Sequence, residues 1–169
     1  MRTLIVLRHA KSSWDTGAAD HERPLNNRGM RQGYAAGEYL LENHCPIDRV
    51  LCSTSTRTRQ TLERVMEVGI DPAEVTFHSE IYEADVADIL PVLRSVPDDN
   101  DCVLFIGHFP GVEDLVEYLD TSLESRQAAV LLIEEGFVTS GIAVLTIDTS
   151  WAELREGSGK LIDFVPAGR

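Results

Sequence analysis

Two histidines stand at the ends of apolar runs, each beside residues suited to holding an anion. Leu7 is followed at once by Arg8 and His9, and Ile106 by Gly107 and His108. A third apolar run ends in Ser53-Thr54-Ser55-Thr56-Arg57. Arginine presents a rigid fork of donors that matches phosphate oxygens in pairs, and it keeps its proton at any working pH. Charge-assisted contacts of this kind are worth roughly 1.5–3 kcal/mol each, so Arg8, Arg57 and a histidine together would hold a phosphate dianion firmly. The hydroxyls of Ser12, Ser53 and Thr54, and the amino end of a helix starting at Ser55, could add neutral donors.

The same set can do chemistry. A neutral imidazole attacks phosphorus to form a phosphohistidine, which water then hydrolyses. The arginine charges disfavour an imidazolium, so His9, next to Arg8, is expected to stay neutral. A backbone carbonyl on its other ring nitrogen would fix the tautomer. His108 is expected to donate to the phosphoryl oxygens as charge develops. A leaving group that departs as an alkoxide needs a proton. Glu83, in Ile81-Tyr82-Glu83-Ala84, is the candidate donor, because a carboxyl near a phosphate dianion has a raised pKa. A solvated loop carboxylate is an equally good reading of Glu83.

These residues must be positioned by the elements they terminate. Thr3–Leu7 is aliphatic without polar alternation, the pattern of a strand covered on both faces. Gly29–Leu41 has helical spacing, with Met30, Tyr34, Gly37 and Leu41 along one stripe. Arg49–Cys52 reads as a strand, Ser55–Val68 as a helix with Ser and Thr capping candidates, and Val75–His78 as a weaker strand. Val86–Val96 is apolar at helical spacing, with Pro91 expected in the first turn or at a bend. Asp101–Ile106 is a buried strand, Gly111–Leu119 a helix, Gly141–Ile147 a strand, and Leu161–Val165 a last edge strand. Strands alternating with helices predict an α/β protein, a three-layer α/β/α sandwich around a mainly parallel sheet. In such folds ligands collect beyond the carboxyl ends of the strands, where all three motifs fall.

At 169 residues and 43% hydrophobic content, one domain spanning 1–169 can fill a core. The formal net charge of −13 opposes binding to nucleic acid or to an anionic membrane surface. No segment approaches the roughly 20 apolar residues of a membrane-spanning helix. Cys45, Cys52 and Cys102 are odd in number and lack metal-finger spacing, which argues for a reducing, cytoplasmic setting.

The R-H pair after the first strand, S-x-x-x-R-x-x-Q-T over Ser53–Thr61 and the late G-H-x-P at Gly107–Pro110 together resemble the histidine phosphatase superfamily, with its phosphoglycerate-mutase-like fold. Arg8–Trp14, Arg23-Pro24-Leu25-Asn26 with Arg28-Gly29, Val138–Leu145 and Phe164-Val165-Pro166 resemble its SixA-type phosphohistidine phosphatases. The resemblance implies a phosphohistidine on His9, a phosphate pocket of Arg8, Arg57 and His108, and neither metal nor cofactor. Two positions depart from the pattern. Ala10 replaces a common Gly, which is awkward only if the site needs positive φ, and Thr54 replaces a common Pro. With only Lys11–Asn27 available as a lid, the open rim suits a phosphorylated protein, with phosphohistidine as substrate. A small phosphorylated metabolite is the alternative. Arg23 and Ser12 are candidate substrate contacts, although salt bridging within the loop is the default for Arg23. Metal-dependent hydrolysis through His9, His108 and a carboxylate such as Asp15 conflicts with the neighbouring arginines. A non-catalytic phosphate-binding module would not need a nucleophile.

Overall fold

The apolar run after Arg2 has neighbours on both sides. In the computed structural model, which describes residues 1–44 and 46–167, six strands form one sheet. They are β1 (Arg2–Arg8), β2 (Arg49–Ser53), β3 (Glu74–His78), β4 (Cys102–Gly107), β5 (Ile142–Ile147) and β6 (Gly159–Val165), in the order β3-β2-β4-β1-β5-β6. Pairings β1–β4, β2–β4 and β2–β3 are parallel, whereas β1–β5 and β5–β6 are antiparallel. The predicted architecture is therefore present, with β5 alone running against the other five strands.

Among the described residues, five helices cover the sheet: α1 (Asn27–Asn43), α2 (Thr56–Met66), α3 (Val86–Arg94), α4 (Gly111–Leu119) and α5 (Val130–Glu135). The alternation along β1 explains why its run is unbroken. Leu4 and Val6 join the core beneath α3, α4 and α5, and Ile5 and Leu7 join the core beneath α1 and α2. All four are fully buried, each worth roughly 1.5–3 kcal/mol relative to exposure.

Local chemistry sets the helix ends. The Asn26 side chain accepts the Gly29 N–H, Ser55 caps Thr58, and Asp85 with Asp88 forms a reciprocal capping box. Pro91 lies inside α3, past the first turn that was one of the two placements expected for it. The predicted stripe on α1 is displaced. Tyr34 and Leu41 are exposed, and the buried face is Gly29, Gln32, Gly33, Ala36, Gly37 and Leu40. The cause is the close approach of α2: a Cβ on Gly37 would lie 2.6 Å from the Val65 carbonyl oxygen, and one on Gly33 2.9 Å from the Arg64 Cβ. Arg64 pairs with Glu67, whereas Arg59 lies over the Phe77 ring and donates to the Thr54 carbonyl. Cys52 is buried in β2 and Cys102 half-buried at the start of β4, while Cys45 lies outside the described residues.

The Lys11–Asn27 segment has both feet fastened. Ser12 and Leu25 form an antiparallel bridge, the Ser13 N–H donates to the Pro24 carbonyl (2.8 Å) and the Asn26 N–H to that of Lys11 (3.1 Å). The Leu25 N–H reaches Gln60 Oε1 of α2 at 2.8 Å. Trp14 through Asp20 are exposed, and Asp20–Glu22 forms one 3-10 turn. Among the described residues, no helix is long and apolar enough to cross a membrane.

Candidate active site

Register brings the three motifs to one rim. Leu7 and Cys52 both pair with Ile106, so Arg8, Ser53 and Gly107 end their strands in one row. His9 and His108 follow that row, with ring centroids 5.3 Å apart. The His9 N–H donates to the Gly107 carbonyl (3.0 Å), and the Ser140 N–H is shared between the carbonyls of Arg8 (3.1 Å) and His9 (3.0 Å). Reversal of β5 makes this last contact possible, because it places the start of β5 at the rim where β1 ends. Ala10 is fully buried, lies outside the positive-φ residues and donates its N–H to Thr61 Oγ1, so the replacement of Gly is accommodated.

His9 is 7% exposed, and its Nδ1 lies 2.7 Å from the Ala10 carbonyl. A carbonyl only accepts, so Nδ1 carries the proton and Nε2 keeps its lone pair. Burial holds the ring down to a pKa of about 3, opposed by the Ala10 hydrogen bond and reinforced by His108, Arg57 and Arg8. The expected neutrality is there, but desolvation rather than the arginines is its first cause. His108 is lowered to about 4, by burial and then by Arg57. Its Nε2 lies 2.8 Å from Ser53 Oγ, and its Nδ1 is buried without a protein partner. The Nε atoms of Arg8 and Arg57 are buried and unpartnered as well. Two unmet guanidinium donors and an unpartnered ring nitrogen within one four-residue cluster suit an anion, since a buried polar group without a partner costs stability.

Arg8 donates to the Phe137 carbonyl (2.7 Å), and its guanidinium lies 5.1 Å from the Phe109 ring centroid. Arg57 is 6% exposed and engages Asp20 twice, through Nη1 to the carbonyl (2.7 Å) and Nη2 to Oδ2 (3.2 Å). The Asp20 carboxylate also accepts from the Tyr82 hydroxyl and from Arg23 Nε (3.1 Å). Those donors, Tyr82 first and the arginines after it, lower its pKa to about 2 against the opposing effect of burial. Tyr82 in turn meets the His108 ring edge-on at 5.4 Å, and its hydroxyl is pushed up to about 12 by burial and by Asp20.

The remaining candidates fall into two groups. Arg23 and Ser12 are buried together at the base of the lid, where Arg23 Nη1 donates to Ser12 Oγ (2.8 Å) and Trp14 stacks 3.5 Å from the guanidinium. The loop salt bridge expected of Arg23 is the one to Asp20. Of the other hydroxyls, Ser53 meets His108, and Thr54 Oγ1 lies 2.9 Å from His21 Nε2 on the lid. Glu83 follows Tyr82 but is exposed, with φ of 52° and no hydrogen bond or ion pair to a described residue. Nothing in the sequence assigns a role to Asp20 or Tyr82. Both are single loop residues without a motif, and their contacts join segments 62 residues apart. Among the described residues, no group of three or more His, Cys, Asp or Glu is placed to hold a metal ion.

A family model described as histidine phosphatase superfamily (branch 1) matches residues 4–89. The chain is 40% identical over 159 residues to the uncharacterized protein Rv1276c of Mycobacterium tuberculosis, covering 94% of this chain and 98% of that one. It is 30% identical to the phosphohistidine phosphatase SixA of Escherichia coli, covering 87% of this chain and 86% of that one. A solved SixA structure from Nakamurella multipartitia superposes with a TM-score of 0.84 at 32% identity, covering 99% and 97% of the two chains.

Proposed function

Because the chain belongs to the histidine phosphatase superfamily, we propose that it hydrolyses phosphohistidine in proteins through a covalent phosphate on His9, without a metal, residues 1–169 acting as one domain in the cytoplasm. One observation carries the reading: a buried, neutral His9 with Nδ1 held by the Ala10 carbonyl, beside Arg8, Arg57 and His108. Nε2 attacks phosphorus as the bond to the departing imidazole breaks, and that imidazole takes up a proton. Water then attacks the phosphohistidine, and phosphate leaves as His9 recovers its lone pair. Arg8, Arg57 and the unpartnered His108 Nδ1 stabilise the equatorial oxygens. Permanent positive charge on two arginines disfavours a cation at the same place.

The substrate assignment draws on the exposed lid and on the likeness to the Escherichia coli phosphohistidine phosphatase. A small phosphorylated metabolite is the competing substrate class. An imidazole leaving group places little demand on a general acid, which fits the exposed position of Glu83.

The test is a quench of turnover on a phosphohistidine peptide, with phosphosite mapping. Acid-labile, base-stable phosphate on His9 is expected, along with loss of turnover but retention of vanadate binding in His9→Ala. Phosphate recovered on serine, or on no residue, refutes the mechanism. Comparison with phosphoserine peptides and sugar phosphates, using wild type and Glu83→Gln, ranks the substrates and reports on Glu83.

A further inference from the structure

Beyond the anion pocket, a groove of about 980 Å³ runs between α4 and the 121–136 segment. Glu113, Glu117 and Glu124 line its walls, and Leu123, Leu132 and Ile133 supply its apolar surface. No ion pair among the described residues engages Glu117 or Glu124, and Glu113 has only the more distant charge of Arg8 to oppose it. Asp120, at the same groove, is already engaged by Arg126 at 2.9 Å. Ile133 is 57% exposed on a helix of only six residues. The groove thus sets an apolar patch of Leu123, Leu132 and Ile133 among carboxylates and hydroxyls.

It is also linked to the proposed catalytic pocket through Glu113, whose carboxylate interacts with the Arg8 charge. The Glu113 carboxylate accepts from the Phe137 backbone, and the Phe137 carbonyl holds Arg8. Since β4 ends at the rim and α4 leads away from it, Glu113 lies at the rim end of the groove. Glu117 follows one turn further, about 6 Å along the axis.

We propose, on the reading of the site given above, that this groove docks a basic, aliphatic segment of the phosphorylated protein substrate adjacent in sequence to its phosphohistidine. Lysines or arginines of that segment meet Glu113, Glu117 and Glu124, and an aliphatic side chain covers Ile133 and Leu132. Charge complementarity selects this occupant: a chain of net charge −13 attracts cationic segments and repels acidic ones. Crowding within the groove points the same way, because burial and the neighbouring Glu117 and Asp114 raise the Glu113 carboxyl pKa, a cost that an arriving cation relieves.

The test uses the whole chain and the double variant Glu117→Lys/Glu124→Lys, which leaves the anion pocket untouched. Fluorescence anisotropy of an unphosphorylated Leu/Lys peptide reports docking alone. We expect binding by wild type, weakened by added salt, and about tenfold weaker binding by the variant. Equal binding by both proteins, or no preference over a Leu/Glu peptide, overturns the proposal. In parallel, kcat/KM for phosphohistidine peptides with Lys/Leu flanks should fall in the variant, with p-nitrophenyl phosphate turnover unchanged. If no phosphohistidine peptide is hydrolysed, the substrate assignment fails, and the anisotropy still decides the groove.

Discussion

Arg57 is held from behind by Asp20, and this separates two substitutions that would otherwise look alike. Removing the guanidinium, Arg57→Ala, takes away a donor to the developing charge and should lower kcat by roughly 10²–10³-fold. Asp20→Asn keeps an acceptor for Arg57 and removes a negative charge from beside the pocket. Inorganic phosphate and vanadate should therefore inhibit Asp20→Asn several-fold more tightly than wild type; weaker inhibition would show that the carboxylate serves only to position Arg57. The arginines and histidines were legible in the sequence because each follows an apolar run and its chemistry is plain from its type. Asp20 was not, because its role depends on a lid folding back over α2, which no spacing announces. The same limit applies to His9. Its neutral state follows from neighbours visible in the sequence, but the larger cause, burial, belongs to the finished fold.

At the scale of elements, the α1–α2 seam is the most sensitive to a single methyl group. Gly37→Ala would drive a Cβ into backbone, 2.6 Å from the Val65 carbonyl oxygen, and neither helix can give way at its own main chain. A loss of about 1–3 kcal/mol is expected from urea unfolding, as for overpacked cores. An unchanged midpoint would mean that the helices separate freely. The strands could be read to within a residue or two because β-branched and aliphatic runs declare themselves. The stripe on α1 was misplaced because its contact surface is made of glycines, which carry no hydrophobic signal. The α5 helix was missed altogether. It is six residues long, lacks a side-chain cap and follows two 3-10 turns, so it leaves too little periodicity to detect.

For the molecule as a whole, two neutral histidines, His9 buried and His108 half-buried, tie stability to pH. In the unfolded chain each takes a proton near pH 6.5, whereas the folded pKa values are about 3 for His9 and about 4 for His108. Between about pH 6.5 and 4 the unfolded state binds more protons, so stability is greatest above that window and falls as pH drops through it. The slope should approach 1.4 kcal/mol per pH unit for each histidine, on the order of the linkage limit. A series of urea midpoints from neutral pH to about pH 4.5 measures it, with His9→Asn expected to reduce the slope by about half. A flat series would contradict the uncharged pair.

The lid with two fastened feet has a consequence for scission. A protease reaching the exposed crest between Trp14 and Ala19 would leave β1 clasped between β4 and β5 on one side of the cut. On the other side, Leu25 would still hang from Gln60 and Arg23 from Ser12. The severed chain would travel as one particle and come apart only in denaturant.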